Sequence, residues 1–229
     1  MKKKATALAV HMFTALGVLL AFWALLLIID GELQYSLYVM ALAVLVDSLD
    51  GTLARRADVS TYASFIDGAL LDNITDYLNW VFLPVFWAYT FLDVPFLAGS
   101  VVLIASLFGF SHKQAKTEDH FFRGFPSYWN FVILYLYILE ADAVISTGVL
   151  LIFSVLVLLP VKFIYPSRTE QWRKTTLMLA VPYACIIIYM LFSLRETSIW
   201  LILASFYYPF YYVAVSVLAS NSARNSETV

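Results

Sequence analysis

The chain has 229 residues, of which 62% are apolar, 17% aromatic and 13% charged, with a formal net charge of −2. Soluble domains are about half apolar and roughly a quarter charged, so the composition excludes a soluble enzyme, a nucleic-acid binder and a disordered chain. The single cysteine, Cys185, leaves no internal disulfide and no thiolate metal cluster.

A mean hydropathy of +0.82 points to a polytopic integral membrane protein, and spans of about 20 residues make room for about eight of them. Apolar stretches between charged or turn-forming breaks predict Ala5–Ile29, Leu33–Val46 continuing toward Arg55, Ser60–Phe91, Val94–Phe110, Pro126–Leu139, Val144–Val161, Thr175–Ser193 and Ile199–Ala219. Met1-Lys2-Lys3-Lys4 ahead of the first run has the look of a secretory signal. The run is too long, however, and lacks a small-residue cleavage pattern, so an uncleaved first helix is predicted. With the N-terminus inside and alternating spans, every basic residue except Arg195 falls on the inner side, a strong positive-inside bias. The prediction is an all-α bundle of about eight spans, N-in and C-in, forming one transmembrane domain over residues 1–229.

The second and third spans contain Asp47, Asp50, Asp67, Asp72 and Asp76. A carboxylate inside a span costs several kcal/mol unless paired, hydrated or bound to a cation. Asp47 and Asp50 are i, i+3 neighbours on one helix face; Asp72 and Asp76 are i, i+4 neighbours on another, in line with Gly68. Asp67 falls roughly 140° from Asp72 around the helix and is read as a local cap or loop partner rather than a site ligand. Four carboxylates on two facing helices cannot all ionise without compensating charge. Hard divalent cations with oxygen ligation, Mg²⁺ or Mn²⁺, are the natural occupants, and two such ions would employ four carboxylates and clamp phosphate oxygens. His11, His112 and His120 lie far away in sequence, which argues against zinc. Gly51 and Ala54 let a ligand or a neighbouring helix come close, and Arg55 offers a planar fork for phosphate.

These residues resemble the signature of the CDP-alcohol phosphatidyltransferase family, here Asp47-x2-Asp50-Gly51-x2-Ala54-Arg55, a spacer, then Gly68-x3-Asp72-x3-Asp76. The spacer has twelve residues where the family pattern has about eight. The long spacer and the segments Lys116–Asn130 and Lys162–Thr169 resemble the family branch whose acceptor is choline.

The resemblance implies transfer of the phosphatidyl group from CDP-diacylglycerol to choline with release of CMP. It implies Asp47, Asp50, Asp72 and Asp76 as metal ligands, with Asp76 also the general base. Gly51, Ala54, Arg55 and Gly68 would line the nucleotide site. It further implies a homodimer in a bacterial inner membrane, with the active site toward the cytoplasm.

A quaternary ammonium needs aromatic faces and a counter-charge, for which Tyr77, Trp80, Tyr128, Trp129 and Tyr165 are candidates, with Glu118 or Asp119. Lys113, Lys116, Arg123, Lys162 and Arg168 are candidates for the lipid-side phosphate. Two other readings remain: the same chemistry with serine, inositol phosphate or glycerol phosphate as acceptor, and an ion-coupled transporter. The latter expects acids spread over several helices and an internal repeat, and neither is visible.

Overall fold

The computed structural model describes residues 2–117 and 119–226, with side chains to residue 220. Helix α1 (Lys2–Ile29) and helix α2 (Leu33–Arg56) form a hairpin turned at Gly31, whose φ of +77° suits glycine. α1 buries Ala7, Val10, Thr14, Gly17, Ala21, Ala24 and Ile28. Their spacing alternates between three and four, a coiled-coil seam filled mostly with small side chains. In lipid, where apolar surface gains little by leaving its solvent, such a seam binds helices by close backbone approach.

The expected third span, Ser60–Phe91, is divided. A short α3 (Val59–Tyr62) packs with Ala63 against Ala7 and Val10 of α1 and takes up the extra length between the two acid pairs. After a break, α4 (Gly68–Asp76) runs through a π-helical turn (Tyr77–Phe82) into α5 (Leu83–Phe91). Pro84 has no N–H to offer the Trp80 carbonyl, and the ladder widens just ahead of it.

α6 (Phe96–Ser111), α7 (Trp129–Ile138), α8 (Ala143–Leu158), α9 (Glu170–Ser193), α10 (Ile199–Ser205) and α11 (Tyr207–Ser226) follow. Four helical stretches, Lys2–Ile29, Leu33–Arg56, Glu170–Glu196 and Ile199–Ser220, are long and apolar enough to cross a membrane. α7 has 10 residues where Pro126–Leu139 was expected, because Gly124 and Ser127 adopt positive φ and delay the helix start.

The all-helical expectation needs one correction. Strands β1 (Phe121–Arg123) and β2 (Lys162–Ile164) pair antiparallel, Phe121 opposite Ile164 and Arg123 opposite Lys162. The loops after α6 and α8 are largely exposed, but Phe121, Phe163 and Ile164 are buried, so the main-chain groups there must find partners, and the pairing supplies them. α11 seals the arrangement: Ile164 N donates to Ser216 Oγ at 3.1 Å, and the Tyr212 hydroxyl donates to Ile164 O at 2.9 Å. Trp87, Trp129, Ile133 and Met190 fill the interior, while Phe22, Trp23, Leu97, Val144 and Trp200 point outward. Large apolar residues on both sides of the helices are the pattern of a bundle solvated by lipid.

Gly17 marks the tightest approach of α1 to α4. A methyl group there meets Thr75 Cγ2 head-on and lies 3.3 Å from Asn79 Nδ2. Gly17→Ala is expected to lower the thermal unfolding midpoint in detergent, at an overpacking cost of about 1–3 kcal/mol. Gly148→Ala in α8, with open space at its Cβ position, leaves the midpoint unchanged or raises it.

Candidate functional site

The last turns of α2 and the first turns of α4 face each other at the end of the bundle where Arg55 and Arg56 emerge. α4 starts where it does because Asp67 caps it, its Oδ1 accepting from Ala69 N at 3.1 Å and Leu70 N at 3.0 Å. Asp67 is thus spent on the cap, and the next turns carry Asp72 and Asp76 toward α2. Asp47, Asp50 and Asp72 each bring a carboxylate oxygen within 4.8 Å of the others. Asp76 lies within hydrogen-bonding reach of Asp47. Asp50 is buried, with the Thr14 hydroxyl of α1 beside it. The Trp80 indole donates to Asp47 Oδ2 at 3.2 Å.

The acids open onto a recess that also touches Thr14, Gly17, Thr75 and Asn79 and has about 10 Å³ of room, enough for a single water. Such a set of oxygens, without thiolate or imidazole, fits a hard divalent cation. Among the described residues one ammonium group approaches the cluster: Lys116 Nζ lies 3.3 Å from Asp72 Oδ2 and 3.5 Å from Asn73 Oδ1. Burial alone would lower the Lys116 pKa, but the Asp72 carboxylate, with Tyr165 and Asp76, outweighs it and holds the ammonium above its ordinary value.

The remaining expected residues divide. Arg55 lies along Gly51, whose absent side chain leaves 3.4 Å to Arg55 Nη1, and Arg55 Nη2 donates to Thr52 Oγ1 at 3.1 Å. Ala54 packs among Ala7, Val10 and Val59. Gly68 faces His11, whose Cε1 would be 3.1 Å from a Cβ there, so the histidine that looked remote in sequence packs against the signature.

Of the aromatic candidates, Trp80 and Tyr128 come together, their ring centroids 5.5 Å apart. Tyr77 gives its hydroxyl to Leu103 O at 2.9 Å, and Trp129 is fully buried with its indole on Ser106 Oγ at 2.9 Å. Tyr165 stacks on Phe122 at 4.4 Å, beneath Arg168. Glu118 lies outside the described residues. Asp119 accepts from Lys162 at 2.8 Å, and Arg123 donates to Gln114 Oε1 at 3.2 Å, so these partners are engaged with each other in the sheet region; Lys113 is exposed nearby.

Sequence reasoning missed Thr14 and Asn79. Each is a polar residue inside an apolar run, and that was the available signal.

A family model described as CDP-alcohol phosphatidyltransferase matches residues 6–208, and the chain belongs to that family. Within it, the chain is similar to the phosphatidylcholine synthase of Pseudomonas aeruginosa, 40% identical over 173 residues, covering 74% of this chain and 73% of that one. It is 37% identical to the phosphatidylcholine synthase of Legionella pneumophila over 79% of this chain and 72% of that one. For the phosphatidylcholine synthase of Borreliella burgdorferi the identity is 34%, over 82% of each chain.

The Asp119–Lys162 pair joins the two loops of the sheet. Burial alone would raise the Asp119 carboxyl, but hydrogen bonds from Lys162 and Thr117 outweigh it and hold it below the usual carboxylate range. A depressed folded-state pKa contributes stability above the unfolded value of about 4, and that contribution is lost as pH falls through the folded value. Between about pH 5 and pH 3 the unfolding midpoint of the wild type is therefore expected to fall more steeply than that of Asp119→Asn.

Proposed function

We propose that this protein is a phosphatidylcholine synthase, which transfers the phosphatidyl group of CDP-diacylglycerol to choline and releases CMP. The observation that carries the reading is the convergence of the four signature aspartates on one recess, in a chain whose relatives of 34–40% identity bear that name.

The choline hydroxyl attacks the phosphorus of the phosphatidyl group, the bond from that phosphorus to the CMP oxygen breaks, and the proton passes to Asp76. Asp47, Asp50, Asp72 and Asp76 would hold Mg²⁺ or Mn²⁺, in a two-ion arrangement. When bound, such ions supply positive charge to the oxygens of the pyrophosphate. Arg55 receives the nucleotide phosphate along the path left open by Gly51, with Ala54 and Gly68 keeping the helix backbones close to the nucleotide. Lys116 sits where it can turn from Asp72 to the lipid-side phosphate, with Lys113, Arg123, Lys162 and Arg168 on the same loops.

Choline's cation has no N–H to donate, so its seat must be aromatic. Trp80 is one helical turn from Asp76 and touches Asp47. Choline's two-carbon arm therefore lets the hydroxyl meet Asp76 while the trimethylammonium rests against Trp80 and Tyr128. The basic residues at the site end support an N-in, C-in orientation with this site toward the cytoplasm; the apolar stretches favour one domain of eight spans, and the family likeness favours a bacterial inner membrane and a homodimer.

Purified protein with CDP-diacylglycerol, Mn²⁺ and labelled choline is expected to form labelled phosphatidylcholine and CMP. EDTA should abolish the product, and Asp76→Asn should reduce it about 10²–10⁴-fold. Incorporation of serine or glycerol phosphate in place of choline would keep the chemistry and reject the acceptor. Failure with every alcohol and every divalent ion would reject the transferase reading. Tyr128→Leu is expected to raise the choline KM about 3–10-fold with little change in the KM for CDP-diacylglycerol, while Tyr128→Phe, which keeps the ring, stays near wild type.

A further inference from the structure

Asn79 occupies the π-helical turn directly after Asp76 and is 4% exposed. Its Nδ2 donates to Gly17 O of α1 and to Thr75 O, each at 3.0 Å. Those two carbonyls determine the orientation of the amide, because the reverse orientation sets Oδ1 against two acceptors. Oδ1 is therefore committed to the other side, and among the described residues no donor reaches it. A buried acceptor left without a donor is costly. The same residue forms part of the wall of the recess behind the aspartates, whose 10 Å³ suits one water. Water is the small donor that such a site admits, and ions of the Mg²⁺ type keep several waters when they bind carboxylates.

We propose that Asn79 is a positioning residue of the metal centre, its Oδ1 accepting a hydrogen bond from a water bound to the ion that Asp47, Asp50, Asp72 and Asp76 hold. The inference rests on the metal reading of those four acids. Asn79 would thereby hold one water of that ion in place and help fix the ion beside the four acids. Gly17 is part of the same device, since the absence of a side chain there is what allows α1 to offer its carbonyl to Nδ2. Asn130 Nδ2, which donates to the Asn79 main-chain oxygen at 3.0 Å, braces the residue from α7.

The test is Mn²⁺ binding to the full chain in detergent, read from the spin-resonance signal of free Mn²⁺, beside the unfolding midpoint without metal. Wild type is expected to bind, and Asp50→Asn to bind much more weakly. Asn79→Leu, which removes the acceptor, should lose about 10–100-fold in Mn²⁺ affinity. Asn79→Asp loses the same Nδ2 ties and so a similar part of the unfolding midpoint, but keeps an acceptor oxygen at the Oδ1 position; it should bind Mn²⁺ at least as tightly as wild type. A purely structural role predicts instead that both variants lose affinity together, and that result overturns the proposal, as does wild-type affinity in a folded Asn79→Leu. Should Asn79→Leu fail to fold, Asn79→Asp decides alone, retained affinity supporting the assignment and lost affinity rejecting it. If wild type and Asp50→Asn both fail to bind, the metal reading falls and this inference with it; binding that depends on Asp50 but ignores Asn79 removes the inference alone.

Discussion

Four carboxylates on two facing helices repel one another, and with Asp50 buried and the other three half-buried, solvent only partly softens the repulsion. Much of the bundle's construction answers to that constraint. The Trp80 indole lies against Asp47 and the Thr14 hydroxyl against Asp50, and Lys116 reaches Asp72 from a loop 44 positions further along the chain. These contacts soften the charge without removing it. What remains is a site whose electrostatics favour a divalent cation and, with it, a pyrophosphate that would otherwise be repelled.

The geometry that holds the acids together is built from small side chains and one irregular helix. The a/d seam of α1 carries alanine and glycine, so α1 can lie close against both α2 and α4. Thr75 and Asn79 occupy the volume that Gly17 leaves open. The π-helical turn ahead of Pro84 begins one residue after Asp76 and carries both Asn79 and Trp80. A π-helical turn set between Asp76 and Trp80 of the site is the kind of place where helices depart from the α ladder for function.

The loops at this end are ordered by the chain's last helix. α11 grips β2 through Ser216 and Tyr212, β2 pairs with β1, and the loop that leads into β1 brings Lys116 to Asp72. A segment more than a hundred residues beyond the signature thereby governs the charge at its mouth. The lipid-facing residues take no part in this; they are apolar and exposed, and they set only the solvent in which the bundle is stable.

The membrane character, the family likeness, the two acid stripes and the separation of Asp67 from them were legible in the residues alone. Each depends on composition or on residues within one or two helical turns, where the 3.6-residue period alone decides which side chains share a face. Tertiary structure decided the rest. Thr14, His11 and Lys116 come to the signature from other helices or loops, Asn79 is fixed beside it by its bond to α1, and the small sheet joins two connections in which the sequence pattern predicts no strand. No local period encodes such pairs. They depend on how closely two backbones can approach, and here that distance is governed by side-chain volume at positions such as Gly17.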